Sequence, residues 1–237
     1  MINKDFPLAN DSDFYVMIAG ASGLVGSQVL KHLLNQCHLG GVYTMVRQPL
    51  GQQHPKLVQV LDGQLSVFPE NAKGKVRYGV IALGTTLKQA GSKEALKNVD
   101  LDLVVEIATR MKAYGITHVA VVSSFGANPK SHSHYLCCKG VMEHKLMRLG
   151  FEHLLIMRPG PLVGERQEIR PGEIWLQRLM KVGQYALFGQ LRNIIPIAAQ
   201  DVAKALLKTL FETNEQKVTI LNSVDMLQRL NKPLKNK

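Results

Sequence analysis

The fold is decided by the stretch Phe14-Tyr-Val-Met-Ile-Ala-Gly-Ala-Ser-Gly-Leu-Val-Gly26 near the start of this 237-residue chain. Its first half is an almost continuous apolar run, which is typical of a β-strand covered on both faces. Residues 24–37 then place Val25, Val29 and Leu33 on one side of a predicted helix. A glycine-containing turn between a strand and a helix is the form that many phosphate-binding loops take.

The three glycines of this turn have distinct predicted roles. Gly20 permits the tight turn off the strand, Gly23 lets the main chain approach a diphosphate, and Gly26 lets the helix lie close to the sheet. The helix N-terminus adds unpaired N–H groups and a partial positive charge. We therefore expect this turn to bind the phosphates of a dinucleotide, with a loop that merely reverses the chain as the alternative. The predicted contacts are made by Gly20, Ser22, Gly23, Leu24, Val25 and Gly26.

Beyond the turn, apolar runs of strand length alternate with segments of helical period. This alternation predicts βαβ units, and hence an α/β fold with a doubly wound parallel sheet and helices on both faces. The further predicted strands are residues 42–46, 57–61, 76–83, 118–122, 154–157 and 218–221, and the further predicted helices are residues 92–113, 133–149 and 200–211. No linker separates two units, so we expect a single domain, residues 1–237, with a core at about 14–160 and cleft and lid elements at about 161–237.

The composition is ordinary for a folded globular protein, with 46% hydrophobic and 20% charged residues. The net charge of +11 favours a phosphorylated or otherwise anionic small-molecule ligand, or is simply a solvated basic surface. The basic residues are scattered apart from a cluster in residues 232–237, and they carry no zinc-finger spacing or aromatic RNA-binding signature. We therefore expect no specific binding of nucleic acid.

The sequence carries no pattern for secretion or for a membrane span. No run approaches the roughly 18 to 20 apolar residues that a spanning helix needs, and residues 1–13 lack the basic-then-apolar layout of a secretory signal. Cys37, Cys137 and Cys138 form no disulfide framework. These features predict a cytoplasmic protein with reduced thiols and no membrane partner.

The end of the second predicted strand indicates which dinucleotide would bind. Proteins that use NAD usually have an acid here for the ribose hydroxyl, whereas this chain has Val46-Arg47-Gln48. Arg47 could stack on the adenine and contact a 2′-phosphate, which favours NADP, with an ordinary exposed arginine as the alternative. Gly84, Thr85 and Thr86 follow the fourth strand, where they would contact the ribose and phosphates. Asp62 could meet the adenine edge or serve as a turn residue.

Two serines, a tyrosine and a lysine form the predicted catalytic set. Tyr135 and Lys139 lie four residues apart and so project from one face of a helix, while Ser123 and Ser124 end the preceding strand. A tyrosine hydroxyl can pass a proton to or from a substrate oxygen as hydride moves, and a nearby ammonium favours the phenolate. A serine hydroxyl can hydrogen-bond the same oxygen. We favour Ser124 with Ser123 in support, although the sequence does not decide between them; a half-buried tyrosine beside a solvated lysine is the alternative.

Several segments together resemble the atypical short-chain dehydrogenase/reductases, and among them the Tat-interacting-protein oxidoreductase group. The segments are residues 20–26 with their GxxGxxG spacing, Leu83-Gly-Thr-Thr86, Val122-Ser-Ser124, residues 135–139, Arg158-Pro-Gly160 and residues 166–173. The resemblance implies a Rossmann domain related to NAD-dependent epimerases and dehydratases, with NADPH in the cleft beside Pro159. It also implies catalytic roles for Ser124, Tyr135 and Lys139, and cofactor contacts by Ser123, Tyr135 and Lys139.

Two functions are compatible with these residues. The first is an NADP(H)-dependent oxidoreductase acting on a small carbonyl or alcohol. Arg166 or Arg170 could bind this substrate if it is anionic. The second is an NADP(H)-binding redox sensor with little or no turnover, which signals through a partner. We expect a monomer or homodimer, and no metal site, because His132 and His134 lack nearby Cys, Asp or Glu partners.

Overall fold

The computed structural model describes residues 14–72, 75–163, 196–212 and 216–231. The strands are β1 (Phe14–Ala19), β2 (Leu39–Val46), β3 (Leu57–Leu61), β4 (Val76–Ile81), β5 (His118–Val122), β6 (His153–Arg158), β7 (Leu162–Val163), β8 (Ile197–Ala198) and β9 (Val218–Asn222). The helices are α1 (Leu24–Leu34), α2 (Leu87–Ala90), α3 (Lys93–Lys97), α4 (Val104–Tyr114), α5 (His134–Met147), α6 (Ala199–Phe211) and α7 (Ser223–Asn231). A π-helical segment, Asn98–Leu103, joins α3 to α4, and a 3₁₀ turn, Glu70–Ala72, precedes β4.

Seven strands form one parallel sheet in the order β3-β2-β1-β4-β5-β6-β9. The chain builds outward from β1 in one direction and from β4 in the other, as in doubly wound dinucleotide-binding folds. The predicted α/β fold class with a parallel sheet is confirmed. Ligands of such sheets bind in the crevice beyond the carboxyl ends of the strands where the direction reverses, which here lies between β1 and β4.

Helices cover both faces of the sheet, which explains why β1 is an apolar run. Val16 and Ile18 pack in one core with α1, α6 and α7. Met17 and Ala19 pack in a second core with α3, α4 and α5 on the opposite face. Because successive strand residues point to opposite faces, a strand between two helical layers must be apolar at every position.

The helix predicted over residues 92–113 is present with one irregularity. The Ser92 side chain caps its start, and Gly115 ends it with φ of +102°. Between these points the residues Asn98–Leu103 are π-helical. Single π-helical turns occur mostly inside α-helices and frequently at functional sites. Asp100 lies in this segment and is fully buried.

Two further features differ from the prediction. Helix α1 ends at residue 34 rather than 37, because the Asn35 side chain donates a hydrogen bond to the Lys31 carbonyl at 2.9 Å and so caps the last turn. Helix α7 was not predicted. Its apolar residues Val224, Met226, Leu227 and Leu230 recur at helical spacing, but the segment is only nine residues long.

The C-terminal elements join the same sheet and core. Strand β9 pairs in parallel with β6, which confirms the strand predicted at residues 218–221. Helix α6 contributes Val202, Leu206 and Leu210 to the core that contains α1. The predictions for residues 164–173, including Arg166 and Arg170, fall outside the described residues. The basic cluster at residues 232–237 also falls outside them.

Candidate functional site

The turn after β1 packs at very short range against the end of β4 and the start of α1. Gly20 has φ of +92°, and a Cβ placed there would lie 2.6 Å from the Ala82 carbonyl oxygen. A Cβ at Gly26 would lie 2.0 Å from the Gly20 carbonyl oxygen. Neither distance leaves room for a side chain, so the packing of the turn itself requires both glycines.

The same turn leaves the start of α1 without a side-chain cap. Gly23 occupies the N-cap position and has no side chain to accept a hydrogen bond. Its own N–H donates to the Gly20 carbonyl at 3.0 Å, and Ser22 is exposed beside it. The N–H groups that follow, beginning with Leu24 and Val25, have no carbonyl within the helix to pair with. A glycine cradle with a bare helix N-terminus fits the diphosphate of a dinucleotide.

Arg47 follows strand β2 and Asp62 follows strand β3, which are the two strands beyond β1 at one side of the sheet. Arg47 directly follows β2, the neighbour of β1, and it is exposed. Asp62 organises its own loop by accepting hydrogen bonds from the Ser66 N–H at 2.5 Å and hydroxyl at 2.8 Å, and from the N–H groups of Gln64 and Val67. These hydrogen bonds, led by that from the Ser66 backbone, lower the pKa of Asp62 to about 2. The contacts of Asp62 are those of a turn residue.

The loop after β4 presents one exposed glycine and two threonines with structural contacts. Gly84 is exposed, and the Thr86 hydroxyl caps α2 by accepting a hydrogen bond from the Gln89 N–H at 3.3 Å. The Thr85 N–H donates to the Asp100 Oδ2 at 2.9 Å. Because β4 is the neighbour of β1, this loop lies beside the glycine turn. Its predicted contact with the ribose and phosphates stays a prediction.

Lys139 is held by a buried carboxylate. Its Nζ lies 2.8 Å from the Asp100 Oδ1, and the two side chains are only 2% and 0% exposed. The same ammonium donates to the Val122 carbonyl at 3.3 Å, at the end of β5. Lys139 is therefore not the solvated lysine of the alternative interpretation. It is a fixed, ion-paired charge at the carboxyl edge of the sheet.

Ser123 and Ser124 have different surroundings. The buried Ser123 hydroxyl donates to Glu143, a fully buried carboxylate that is ion-paired with Arg158. Ser124 is half-buried, and within the described ranges its hydroxyl has only a long contact of 3.4 Å with the Phe125 carbonyl. Ser124 thus retains a hydroxyl for a substrate oxygen, which supports it over Ser123 as the catalytic serine.

Tyr135 lies in the first turn of α5, one turn before Lys139. Its side chain is half-buried, and the Lys139 Nζ lies 6.0 Å from the centre of its ring. The loop after β5 is packed against α5 at Gly140, where a Cβ would lie 2.3 Å from the Asn128 carbonyl carbon. This contact fixes the loop that follows Ser124 relative to the helix that carries Tyr135 and Lys139.

Pro159 follows β6 at the same edge of the sheet and is buried. Its carbonyl oxygen accepts a hydrogen bond from the Phe125 N–H at 2.8 Å. The end of β6 is thereby tied to the residue that follows Ser124. The predicted cofactor contact of Pro159 stays a prediction.

Two buried acids of the site, Asp100 and Glu143, were not among the predicted residues. A signal was present in the sequence. Asp100 stands four residues after Leu96 and four before Val104, both of which are buried, so it occupies the apolar stripe of its helix. Glu143 stands four residues after Lys139 on α5. Since charged residues are almost never fully buried unless paired, an acid in an apolar stripe indicates an ion pair.

Membrane and metal features are absent from the part of the chain that the structure describes. No helix there has both the length and the apolar character that crossing a bilayer requires. In the same ranges, no three His, Cys, Asp or Glu side chains are grouped as a metal site would need. The His134 Nε2 instead lies 2.9 Å from the Lys93 carbonyl oxygen.

Known proteins are similar to this chain over most of its length. Residues 68–185 match the HIM1 family. The mitochondrial protein FMP52 of Eremothecium gossypii is 30% identical over 217 residues, which cover 89% of this chain and 95% of that protein. Protein HTATIP2 of Rattus norvegicus is 32% identical, with 95% of this chain and 92% of that protein covered.

Solved structures share the fold at lower identity. MoeE5 in complex with UDP-glucose and NAD has a TM-score of 0.64 at 16% identity, covering 87% of this chain and 75% of its own. A putative NAD-dependent epimerase/dehydratase from Bacillus halodurans has a TM-score of 0.59 at 21% identity, and the match covers 89% of this chain and 94% of that protein. At these identities the similarity establishes the fold, which is Rossmann-like.

The predicted cytoplasmic location is contradicted by these relatives. The FMP52 proteins of Eremothecium gossypii, Saccharomyces cerevisiae and Candida albicans are all named as mitochondrial. The prediction rests on the absence of a membrane-spanning run, on the three cysteines and on residues 1–13, which lack a secretory pattern. That pattern reports on secretion alone and carries no information on other compartments.

Sequence similarity, sheet order and the glycine turn agree with one another. The similarity to HTATIP2 and FMP52 spans about nine tenths of this chain. The sheet has the strand order of a dinucleotide-binding fold, with the glycine turn at its reversal point. The chain therefore belongs to the family of FMP52 and HTATIP2.

Proposed function

We propose that this protein is an NADP(H)-dependent oxidoreductase that transfers hydride between the nicotinamide and a small carbonyl or alcohol. The observation that carries the proposal is the buried ammonium of Lys139, which lies 6.0 Å from the centre of the Tyr135 ring and donates to the Val122 carbonyl, two residues before Ser124. The loop that follows Ser124 is packed at Gly140 against helix α5, which carries Tyr135 and Lys139, and no Cβ fits at that contact. The presence of NAD in the similarly folded MoeE5 supports a nicotinamide dinucleotide.

Each of the three residues has a chemical role that follows from its surroundings. A bound NADP(H) would supply or accept the hydride. The Tyr135 hydroxyl gives or takes the proton at the substrate oxygen. The Ser124 hydroxyl donates a hydrogen bond to the same oxygen, where negative charge develops. The fixed ammonium of Lys139 favours the phenolate form of the tyrosine by electrostatic attraction.

The preference for NADP over NAD rests on the residues after β2. Arg47 is exposed there, and a guanidinium can stack on an adenine and bind a phosphate through two N–H groups. Neither Arg47 nor Gln48 is an acid that would repel a 2′-phosphate. The net charge of +11 adds a general attraction for the more highly charged nucleotide.

Nucleotide binding is the first test. NADPH and NADH are titrated into the purified protein, and the fluorescence of the nucleotide itself is followed. We expect NADPH to bind at least about tenfold more tightly, which is about 1.4 kcal/mol. Arg47→Ala is expected to bring the two affinities within about threefold of each other. Arg148→Ala, an exposed arginine after the end of α5, is the control and should leave the ratio unchanged.

Turnover is the second test, with NADPH and a panel of aldehydes, ketones and quinones. We expect turnover that Tyr135→Phe reduces by at least about 100-fold while NADPH still binds. Tyr15→Phe, near the amino end of β1, is the control and should keep full activity. Tight NADPH binding without turnover of any compound would support the redox-sensing alternative. A protein that binds neither nucleotide would contradict both.

A further inference from the structure

The carboxylate of Asp100 joins two parts of the site that are far apart in sequence. Its Oδ1 lies 2.8 Å from the Lys139 Nζ on α5. Its Oδ2 accepts the hydrogen bond from the Thr85 N–H, at 2.9 Å, in the loop after β4. Asp100 itself is carried by the π-helical segment and has no exposed surface. One buried carboxylate thus connects the predicted catalytic lysine with the loop beside the glycine turn.

The ion pair lies directly under the edge of the crevice. A Cβ at the exposed Gly84 would be 3.3 Å from the Asp100 Oδ1 and 3.8 Å from the Lys139 Nζ. Because residue 84 is a glycine, it places no side chain over the ion pair. The ammonium is ion-paired with Asp100 and donates one hydrogen bond to the Val122 carbonyl, and an ammonium has three N–H groups to donate.

We propose that Asp100 is a positioning residue of this oxidoreductase, which keeps Lys139 charged and fixed and couples it to the Gly84–Thr85 loop. The inference rests on the proposed function. Without the carboxylate, the Lys139 ammonium would be a buried charge with no described counter-charge, left with a hydrogen bond to the Val122 carbonyl and the Tyr135 ring at 6.0 Å. Burial without a counter-charge favours the neutral amine. A neutral amine would no longer stabilise a phenolate at Tyr135, so loss of Asp100 acts on the reaction through the lysine.

The decisive experiment follows the side-chain amine of Lys139 by NMR of protein with isotope-labelled lysine, without nucleotide, between about pH 7 and 11. The Lys139 signal is assigned by its loss in Lys139→Met. In Asp100→Asn, whose amide oxygen can still accept the Thr85 N–H, we expect Lys139 to lose its proton at least about one pH unit earlier than in the unaltered protein. An unchanged titration in Asp100→Asn would overturn the proposal.

Asp102→Asn is the matched control. Asp102 lies two residues further along the same segment and pairs with Lys97 at 2.6 Å, but both of these side chains are more than 40% exposed. Removing an exposed partner changes little, because water screens and solvates the remaining charge. The titration of Lys139 should therefore be the same in Asp102→Asn as in the unaltered protein. An equal shift in both variants would show a general charge effect and overturn the specific role of Asp100.

A second measurement applies if Asp100→Asn does not fold. The double variant Asp100→Asn/Lys139→Met removes both charges, and buried ion pairs can often be replaced together where neither partner can be removed alone. We expect the double variant to fold, with a melting temperature close to that of the unaltered protein. A double variant that fails to fold, as Asp100→Asn does, would show that the carboxylate does not act through Lys139, and would overturn the proposal.

The catalytic readout is the pH profile. Once a substrate is known, kcat/KM of Asp100→Asn should fall at a lower alkaline pH than that of the unaltered protein, while Asp102→Asn keeps the original profile. A profile that keeps its shape and is only scaled down would indicate a merely structural role and would overturn the proposal. If the protein neither binds NADPH nor turns over any compound, the proposed function fails, but the lysine titration still decides whether Asp100 holds Lys139.

Discussion

Replacing Gly26 with alanine is expected to destabilise the protein by forcing α1 away from the turn after β1. The added Cβ would lie 2.0 Å from the Gly20 carbonyl oxygen and 2.8 Å from the Gly20 carbonyl carbon. An ordinary carbon–oxygen contact is about 3.3 Å, so the backbone must move by about 1.3 Å. Inserting a methyl group into a packed site costs about 1 to 3 kcal/mol and occasionally more. Since both clashing atoms are backbone, we expect a loss near the upper end, about 3 kcal/mol.

Thermal unfolding followed by circular dichroism, without nucleotide, measures this loss. In a chain of this size each kcal/mol lowers Tm by about 2–4 °C, so Gly26→Ala should melt about 6–12 °C below the unaltered protein. Gly51→Ala is the matched control, because a Cβ there meets nothing within 4 Å. A Gly26→Ala protein that melts within about 1 °C of Gly51→Ala would refute the packing argument. The same variant should bind NADPH at least about tenfold more weakly, since the displaced turn no longer presents its N–H groups.

Three further predictions concern α5, β5 and β6. Gly140→Ala, whose Cβ would lie 2.3 Å from the backbone of the loop after β5, should reduce turnover more than NADPH binding; parallel kinetic and binding assays check this, and an equal loss of both would contradict it. Ser123→Ala removes a hydrogen bond to the buried Glu143 and should lower the free energy of unfolding in urea by about 1–3 kcal/mol. Ser124→Ala should change that free energy by less than about 0.5 kcal/mol but abolish most turnover. If Ser123→Ala instead abolished turnover and Ser124→Ala destabilised the fold, Ser123 would be the catalytic serine and Ser124 the structural one. Burial lowers the pKa of His153 to about 4, whereas an unfolded histidine titrates near 6.5. Between these values the unfolded state binds the extra proton, so the stability that is present above about pH 6.5 falls as the pH drops toward 4, by up to about 3 kcal/mol. Urea unfolding of His153→Gln across this range should show a shallower fall, and equal slopes would argue against His153 as the cause.

Most of the sheet could be predicted from local patterns. Strand β5 was predicted with the bounds it has, because a strand buried on both faces is an apolar run ended by polar residues. The π-helical segment Asn98–Leu103 could not be predicted in the same way. Its residues suit an α-helix equally well, and the extra residue per turn does not change their composition. Helix α7 was missed because its nine residues make only about two and a half turns, too short a stretch for the spacing of its apolar residues to indicate a helix.

The site could be predicted where its geometry is set by short-range spacing, and not where it depends on packing between helices. The glycine turn and the Tyr135–Lys139 pair are fixed by positions within one turn or one helix. The partners of Lys139 and Ser123 come from other elements, and Glu143 stands 20 residues from Ser123. Such pairs form only when helices pack against the sheet. A charge in an apolar stripe indicates that a partner exists without indicating which residue it is.

Helix α5 carries two buried opposite charges one turn apart, and each is paired with a different element rather than with the other. Lys139 pairs with Asp100, and Glu143 pairs with Arg158 at the end of β6. Replacing one member of a buried pair leaves a lone charge and typically costs about 3–5 kcal/mol. In a saturation-mutagenesis library, substitutions at positions 139 and 143 should therefore survive mainly together with compensating changes at positions 100 and 158. Redesign of this helix for a new substrate would have to begin from its outward-facing residues, such as Lys145, which is exposed.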